Sequence, residues 1–192
     1  MGQLNGSEIL AKALKREGVE ELFFLMGGPM LTAEAATIQE GIRCIDVRHE
    51  QAAAMMAQAY SRLRQKPGFC MAASGPATIN LSTGLANALI DCCPVVALGG
   101  ASPMLGNGKQ VFQEIDQMEI MSGCVKYAAR IYDARRIPEM LNVAIQKAMS
   151  GKPGPVYLDL PGDTLYQMVD EDAIDWSQSG RAILNARPPA PE

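Results

Sequence analysis

Ile42-Arg43-Cys44-Ile45-Asp46-Val47, continued by Arg48-His49-Glu50-Gln51-Ala52-Ala53-Ala54, is the stretch whose reading decides the fold. Its first half is an apolar, β-rich run, and its second half extends through Ala57 and Ala59 as a run of small helix formers. A strand of the first kind reads as buried on both faces, as happens in parallel sheets covered by helices on each side. The acid at the join, Glu50, is then expected near the carboxyl end of that strand, where open α/β sheets receive their ligands.

The same alternation extends in both directions. Apolar runs at 22–25, 42–47, 69–72, 95–98, 126–131 and 156–160 read as strands, and helical periodicity at 31–39, 51–64, 79–90, 115–121 and 137–149 fills the gaps. Ahead of them, Ser7 is expected to cap a helix that carries Ile9, Leu10, Ala13 and Leu14 on one face; Gly18 ends it and Val19 opens the first strand. Gly27-Gly28-Pro29, Lys66-Pro67-Gly68, Ser74-Gly75-Pro76 and Cys93-Pro94 punctuate the seams. The pattern predicts an α/β fold, a doubly wound, mostly parallel six-stranded sheet with helices on both faces. The glycine-rich segment 99–108 is expected to be a loop. Residues 1–165 read as one domain, and 166–192, which end in Ala186-Arg187-Pro188-Pro189-Ala190-Pro191-Glu192, read as a linker toward a further, central domain.

At 192 residues, 48% hydrophobic and 20% charged, the chain can bury one substantial core. Lys and Arg number 17 against 21 Asp and Glu, a net charge of -4, with no clustered basic face to follow a phosphate backbone, which argues against nucleic acid as a partner. No apolar run approaches the ~20 residues that a membrane span needs. The five cysteines form an odd set without C-x-x-C spacing, so reduced, buried thiols of a cytoplasmic protein are expected.

His49 is the only histidine, which excludes metal sites built on two imidazoles, and no metal ligand is assigned. No G-x-S-x-G elbow accompanies it, so His49 reads as a positioned neighbour of the acid rather than a catalyst. Neither a G-x-G-x-x-G nor a Walker spacing is present. Gly27-Gly28 can be a tight turn or a place of close backbone approach to a ligand. Glu50 can be a simple first-turn anion that complements the helix dipole. Against that plain reading stands the placement of Gly27-Gly28, Glu50, Ser74-Gly75-Pro76 and Gln113-Glu114: each follows a strand, so they can converge on one crevice.

The order Gly27-Gly28, Arg48-His49-Glu50-Gln51-Ala52-Ala53, Ser74-Gly75-Pro76, Asn80-Leu81, Thr83-Gly84-Leu85-Ala86-Asn87-Ala88, Pro94-Val95-Val96, Phe112-Gln113-Glu114 and Gly151-Lys152-Pro153-Gly154-Pro155-Val156-Tyr157-Leu158-Asp159-Leu160-Pro161 resembles the N-terminal, pyrimidine-binding domain of thiamine-diphosphate enzymes of the acetolactate synthase group. Met26 and Ala77 depart from the acetolactate synthase pattern, where proline and a second turn glycine are usual. Asp91-Cys92-Cys93-Pro94, Gly99-Gly100-Ala101-Ser102, Phe112-Gln113-Glu114-Ile115-Asp116-Gln117 and Lys126-Tyr127-Ala128-Ala129-Arg130 are closer to the oxalyl-CoA decarboxylase and 2-hydroxyacyl-CoA lyase branch.

The resemblance implies a lyase or transferase that makes or breaks carbon-carbon bonds next to a carbonyl, on 2-oxo acids or, on the second branch, on acyl-CoA substrates. It implies that Glu50 bonds the aminopyrimidine N1′ of thiamine diphosphate and promotes the tautomer that deprotonates the thiazolium. It places Gly27 and Gly28 over the thiazolium, Pro76 and Asn80 against the pyrimidine, and Gln113 on the substrate side. The family's Gly-Asp-Gly and asparagine motif for Mg2+ and diphosphate is absent here, so this chain alone is expected to be inactive and a homodimer or homotetramer is implied for the complete enzyme. A flavin (FAD) stays open. Two other readings remain at this stage: a subunit of a split decarboxylase, and a cofactor-free α/β interaction or regulatory module.

Overall fold

The computed structural model describes residues 2–180. In chain order the elements are β1 (Gln3–Asn5), α1 (Gly6–Arg16), β2 (Glu21–Leu25), α2 (Leu31–Gln39), β3 (Arg43–Asp46), α3 (Glu50–Arg64), β4 (Gly68–Ala72), α4 (Pro76–Asn80), α5 (Ser82–Ile90), β5 (Val95–Ala101), α6 (Gln117–Ser122), β6 (Tyr127–Arg130), α7 (Ile137–Met149), β7 (Val156–Pro161), α8 (Gly162–Tyr166) and β8 (Met168–Asp170). Six strands form one sheet in the order β3-β2-β4-β5-β7-β6, and every pairing in it is parallel. The doubly wound α/β architecture expected from the sequence is therefore present, with a small antiparallel ribbon, β1 against β8, added to it.

Alternation along each strand divides the interior into two layers. Leu22, Phe24, Phe69, Met71, Val96, Leu98, Val156 and Leu158 face one way and pack on Ile9, Leu10 and Leu14 of α1 and Ile137, Leu141 and Ile145 of α7. Phe23, Cys70, Ala72, Val95, Ala97 and Tyr157 face the other way, against Ala53, Ala54 and Ala57 of α3 and Leu85 and Ala88 of α5. In the second layer α3 presents alanines to the sheet, and this is why it lies close: a Cβ at Gly68 would collide with the carbonyl of Ala57. A fully buried Leu or Ile contributes about 1.5–3 kcal/mol, so the first layer supplies most of the hydrophobic stabilisation while the second fixes geometry.

Several local expectations are corrected. Asn5, not Ser7, caps α1: its side chain accepts from the Glu8 N–H, and the Glu8 carboxylate accepts from the Asn5 N–H at 2.8 Å, a reciprocal pair that only the Asn5/Glu8 spacing allows. Ser7 lies inside the helix with its hydroxyl 2.7 Å from that of Thr32. The helix read at 79–90 is two helices, α4 and α5. Gly99–Ala101 belong to β5 rather than to a loop, since Gly99 leaves room for the Tyr157 ring that a Cβ would strike at 2.6 Å. Of the cysteines, Cys70 and Cys93 are buried and Cys44, Cys92 and Cys124 only half-buried; all five are free. Past α8, residues 168–180 lie on the body: Val169 and Ile174 join the first layer and Arg16 sits over the Trp176 ring at 4.6 Å. The proline-rich stretch from Ala186 onward lies outside the described residues.

Candidate functional site

From β3 the chain turns back across β2 to reach β4, so connections leaving β2 and β4 depart on opposite faces of the sheet. Such a reversal opens a crevice at the carboxyl ends of the two strands. Gly27 and Gly28 follow β2 there, Ser74 and Gly75 follow β4, and α3 begins beside them with Glu50.

Gly28 has φ +49° and Gly75 φ +59°, a left-handed conformation that other residues adopt only with strain. Lack of a side chain matters as much: a Cβ at Gly27 would lie 3.0 Å from the Cβ of Ala73, and one at Gly28 would lie 3.3 Å from Oγ of Ser74. The glycine pair is therefore packed directly against the chain that follows β4. Ser74 Oγ donates to Oε1 of Gln113 at 2.6 Å, and Gln113 itself sits at φ +59°. A glutamine in that region costs about 1–2 kcal/mol, and the Ser74 bond is what holds its side chain over the glycines.

Glu50 is the first residue of α3 and only 7% exposed. His49 caps the helix, its Nδ1 accepting from the Gln51 N–H at 3.2 Å, which gives the lone histidine a structural task. Oε2 of Glu50 accepts from Nδ2 of Asn80 at 2.9 Å, while Oε1 meets no donor among the described residues. Asn80 ends α4, which starts at the Gly75-Pro76 turn, so one short helix, rising ~6 Å over its four steps, links the Ser74–Gln113 contact to the Glu50 carboxylate. Thr78 pins that helix by donating to the Ala73 carbonyl at 2.6 Å. Glu50 and Asn80 thus form one pair, and Gly28, Ser74 and Gln113 form one cluster; Pro76, at the exposed start of α4, lies between them along the chain.

Beneath the cluster lies a buried polar network that the sequence reading assigned no role. Gln117 of α6, 1% exposed, accepts from the Gly75 N–H at 2.8 Å and turns its amide nitrogen toward the Gly100 carbonyl, the Tyr157 hydroxyl and Oδ1 of Asp159. Tyr157 also donates to Oδ1 of Asp159, and Nε of Arg130 donates to Oδ2 at 2.5 Å. Burial, reinforced by the Asp159 carboxylate, pushes the Tyr157 hydroxyl well above the usual phenol range, so it stays a donor. The signal available in sequence was Asp159 itself, an acid inside the apolar run Val156 to Leu160.

A cavity of about 600 Å³ lies away from Glu50. It lies beyond Gln113 at the carboxyl ends of β5 and β6 and is lined by Ser102, Asn107, Gln110, Gln113 and Arg130 among others. We take the carboxylate side as the chemical centre and this cavity as the space beside it, because Gln113 belongs to both. The acids on its wall are already engaged. Glu114 accepts from the Gly108 N–H, which holds its carboxyl below the usual range, and from the Val111 N–H at 3.1 Å; Asp116 caps α6. No group of three or more His, Cys, Asp or Glu placed to hold a metal ion occurs among the described residues. No helix of the described chain is long and apolar enough to cross a membrane.

An open parallel sheet with a buried acid near the glycine turns at its switch point has the arrangement of a ligand-binding α/β domain. The chain belongs to the family described as thiamine pyrophosphate enzyme, N-terminal TPP binding domain, which it matches over residues 4–120. It is 37% identical to the chloroplastic acetolactate synthase of Arabidopsis thaliana over 97% of this chain and 28% of the relative. It is 41% identical to a probable acetolactate synthase large subunit of Methanococcus aeolicus, over 88% of this chain and 28% of that protein. With 2-hydroxyacyl-CoA lyase 2 of Caenorhabditis elegans it shares 40% identity over 84% of this chain and 25% of the relative. The chain thus spans between 25% and 28% of the length of these relatives.

Proposed function

We propose that this chain supplies the aminopyrimidine half of a thiamine-diphosphate site in an enzyme that makes or breaks a carbon-carbon bond next to a carbonyl, on a 2-oxo acid or a related acyl substrate. The observation that carries the reading is Glu50: a buried carboxyl at a helix start, one oxygen fixed by Asn80 and the other unspent, near the glycine turns that follow β2 and β4. The residues fit the group, since Glu50 keeps one carboxyl oxygen without a donor among the described residues, as a partner for a ring nitrogen requires. When bound, thiamine diphosphate supplies the electron sink that such chemistry needs.

The chain's own residues have distinct tasks in this reading. Glu50 shares a proton at its free oxygen with a ring nitrogen of the cofactor. Asn80 orients the carboxyl, and Pro76 sets the start of the helix that carries Asn80. Gly27 and Gly28 admit the cofactor close to the backbone, and Gln113, tethered by Ser74, faces the substrate. Mg2+ and the diphosphate are assigned to another domain, supplied by a second subunit in a homo-oligomeric assembly.

The test is Glu50→Gln in the native cofactor-loaded assembly that carries this chain. Glutamine keeps shape and the Asn80 contact but cannot share a proton, so exchange of the cofactor's C2 hydrogen with deuterium, followed by proton NMR, should slow by about 10²–10⁴-fold with circular dichroism unchanged. Exchange at the unmodified rate removes the thiamine reading and leaves the first-turn anion reading in its place.

A further inference from the structure

Among its described lining residues, the cavity beyond Gln113 has one cation, and the hydrogen-bonding capacity of that cation is not spent. Arg130, at the carboxyl end of β6, is half-buried, with a side chain 20% exposed, and it lines the cavity. A guanidinium has five N–H donors. Its Nε is committed to Asp159 at 2.5 Å, and its two terminal nitrogens meet no acceptor among the described residues.

We propose that the cavity at the ends of β5 and β6 is a carboxylate-binding subsite, in which the terminal guanidinium nitrogens of Arg130 grip a carboxylate of the substrate. The inference rests on the reading of the preceding subsection, because it places the substrate's anionic end across the cavity from Gln113.

Three features carry it. Asp159 is fully buried, and its oxygens are occupied by Tyr157, Gln117 and Arg130, so the guanidinium is held in one plane by a carboxylate that cannot reach the cavity. A planar fork fixed in this way suits bidentate capture of a carboxylate better than a lysine would. The competing anions on the wall, Glu114 and Asp116, are bound to backbone N–H groups, which leaves the arginine available. At about 600 Å³ the cavity falls within the usual ~300–1,000 Å³ of small-molecule sites, and its other walls offer the polar side chains of Ser102, Asn107 and Gln110.

Arg130 keeps its charge beside Asp159, so its free N–H groups bond an anionic oxygen with a charge assistance that a neutral acceptor lacks. A neutral isostere of the anion should therefore gain nothing from Arg130. The probes are oxalate and its neutral diamide, oxamide, titrated calorimetrically into the native assembly that carries this chain. Arg130→Gln should weaken oxalate binding by tenfold or more and leave oxamide unchanged. Because Arg130→Gln leaves Asp159 buried without its cation, the double variant Arg130→Gln/Asp159→Asn serves as the folded control: it replaces the ion pair by a neutral hydrogen-bonded pair, and it should show the same selective loss. Oxalate affinity retained in the double variant overturns the proposal, as does an equal loss for oxamide. Running the Glu50→Gln exchange assay alongside separates the two ideas: unaltered exchange there removes the thiamine reading, while the oxalate titration alone decides Arg130.

Discussion

Gln117 and Glu50 are both buried polar side chains at helix starts, yet only one could be found by reading. Glu50 stands at a junction between an apolar strand and a small-residue helix, and an acid there is conspicuous. Gln117 lies in Gln117-Met118-Glu119-Ile120-Met121-Ser122, where an amide looks like one more residue of a solvated face; only the sheet, by bringing Gly75, Gly100, Tyr157 and Asp159 to it, reveals what it does. Gln117→Leu keeps much of the volume and strands these partners without their shared amide. Buried donors and acceptors left unpaired cost about 1–3 kcal/mol, so urea denaturation should show a loss of about 2–4 kcal/mol. A loss below ~1 kcal/mol would mean that the network is not a structural support of the Ser74-Gly75-Pro76 turn.

At the level of elements, the sheet strands were legible because most carry an apolar core between breakers; β3, with Arg43 and Asp46 exposed at the sheet edge, is not buried on both faces as its apolar neighbours suggested, and the strand order comes from the structure. What escaped is equally physical. The ribbon of β1 and β8 has only three pairs, Gln3 with Asp170, Leu4 with Val169 and Asn5 with Met168, and no local pattern announces a pairing between the two ends of the described chain. The break between α4 and α5 escaped because no Gly or Pro marks it. The start of α1 was misplaced by two residues because Ser7 is also a good cap; the Glu8 carboxylate decides for Asn5. Asn5→Ala should therefore cost about 1 kcal/mol in urea denaturation and fray the helix start, whereas Ser7→Ala should spare the helix start and cost only the contacts of its hydroxyl with Thr32 and the Leu165 carbonyl. Equal behaviour of the two variants would contradict the capping assignment.

For the molecule as a whole, the two-layer interior makes stability depend on alkaline pH through a thiol at its centre. Cys70 is fully buried in β4 among Phe23, Ala72 and Ala97, and burial pushes its pKa from 9.0 to about 12. A raised pKa on a neutral acid stabilises the fold fully below 9.0, and the stabilisation is lost as pH climbs from 9.0 toward about 12, because the unfolded chain releases a proton that the native chain keeps. At 1.36 kcal/mol per pH unit, one unit above 9.0 removes about 1.4 kcal/mol at pH 10. Tyr157, raised well above 10.0, acts in the same direction but begins later. Cys70→Ala deletes the first contribution and keeps the second. Its own neutral-pH stability will be lower through the cavity left in the second layer, so the informative quantity is the change from pH 7 to pH 10 rather than either value. That decline should be about 1.4 kcal/mol smaller in Cys70→Ala than in the unmodified chain, measured by urea denaturation at both pH values. Parallel declines would show that the thiol ionises as easily folded as unfolded, and the dry, close-packed layer under α3, on which the placement of Glu50 depends, would have to be open to water.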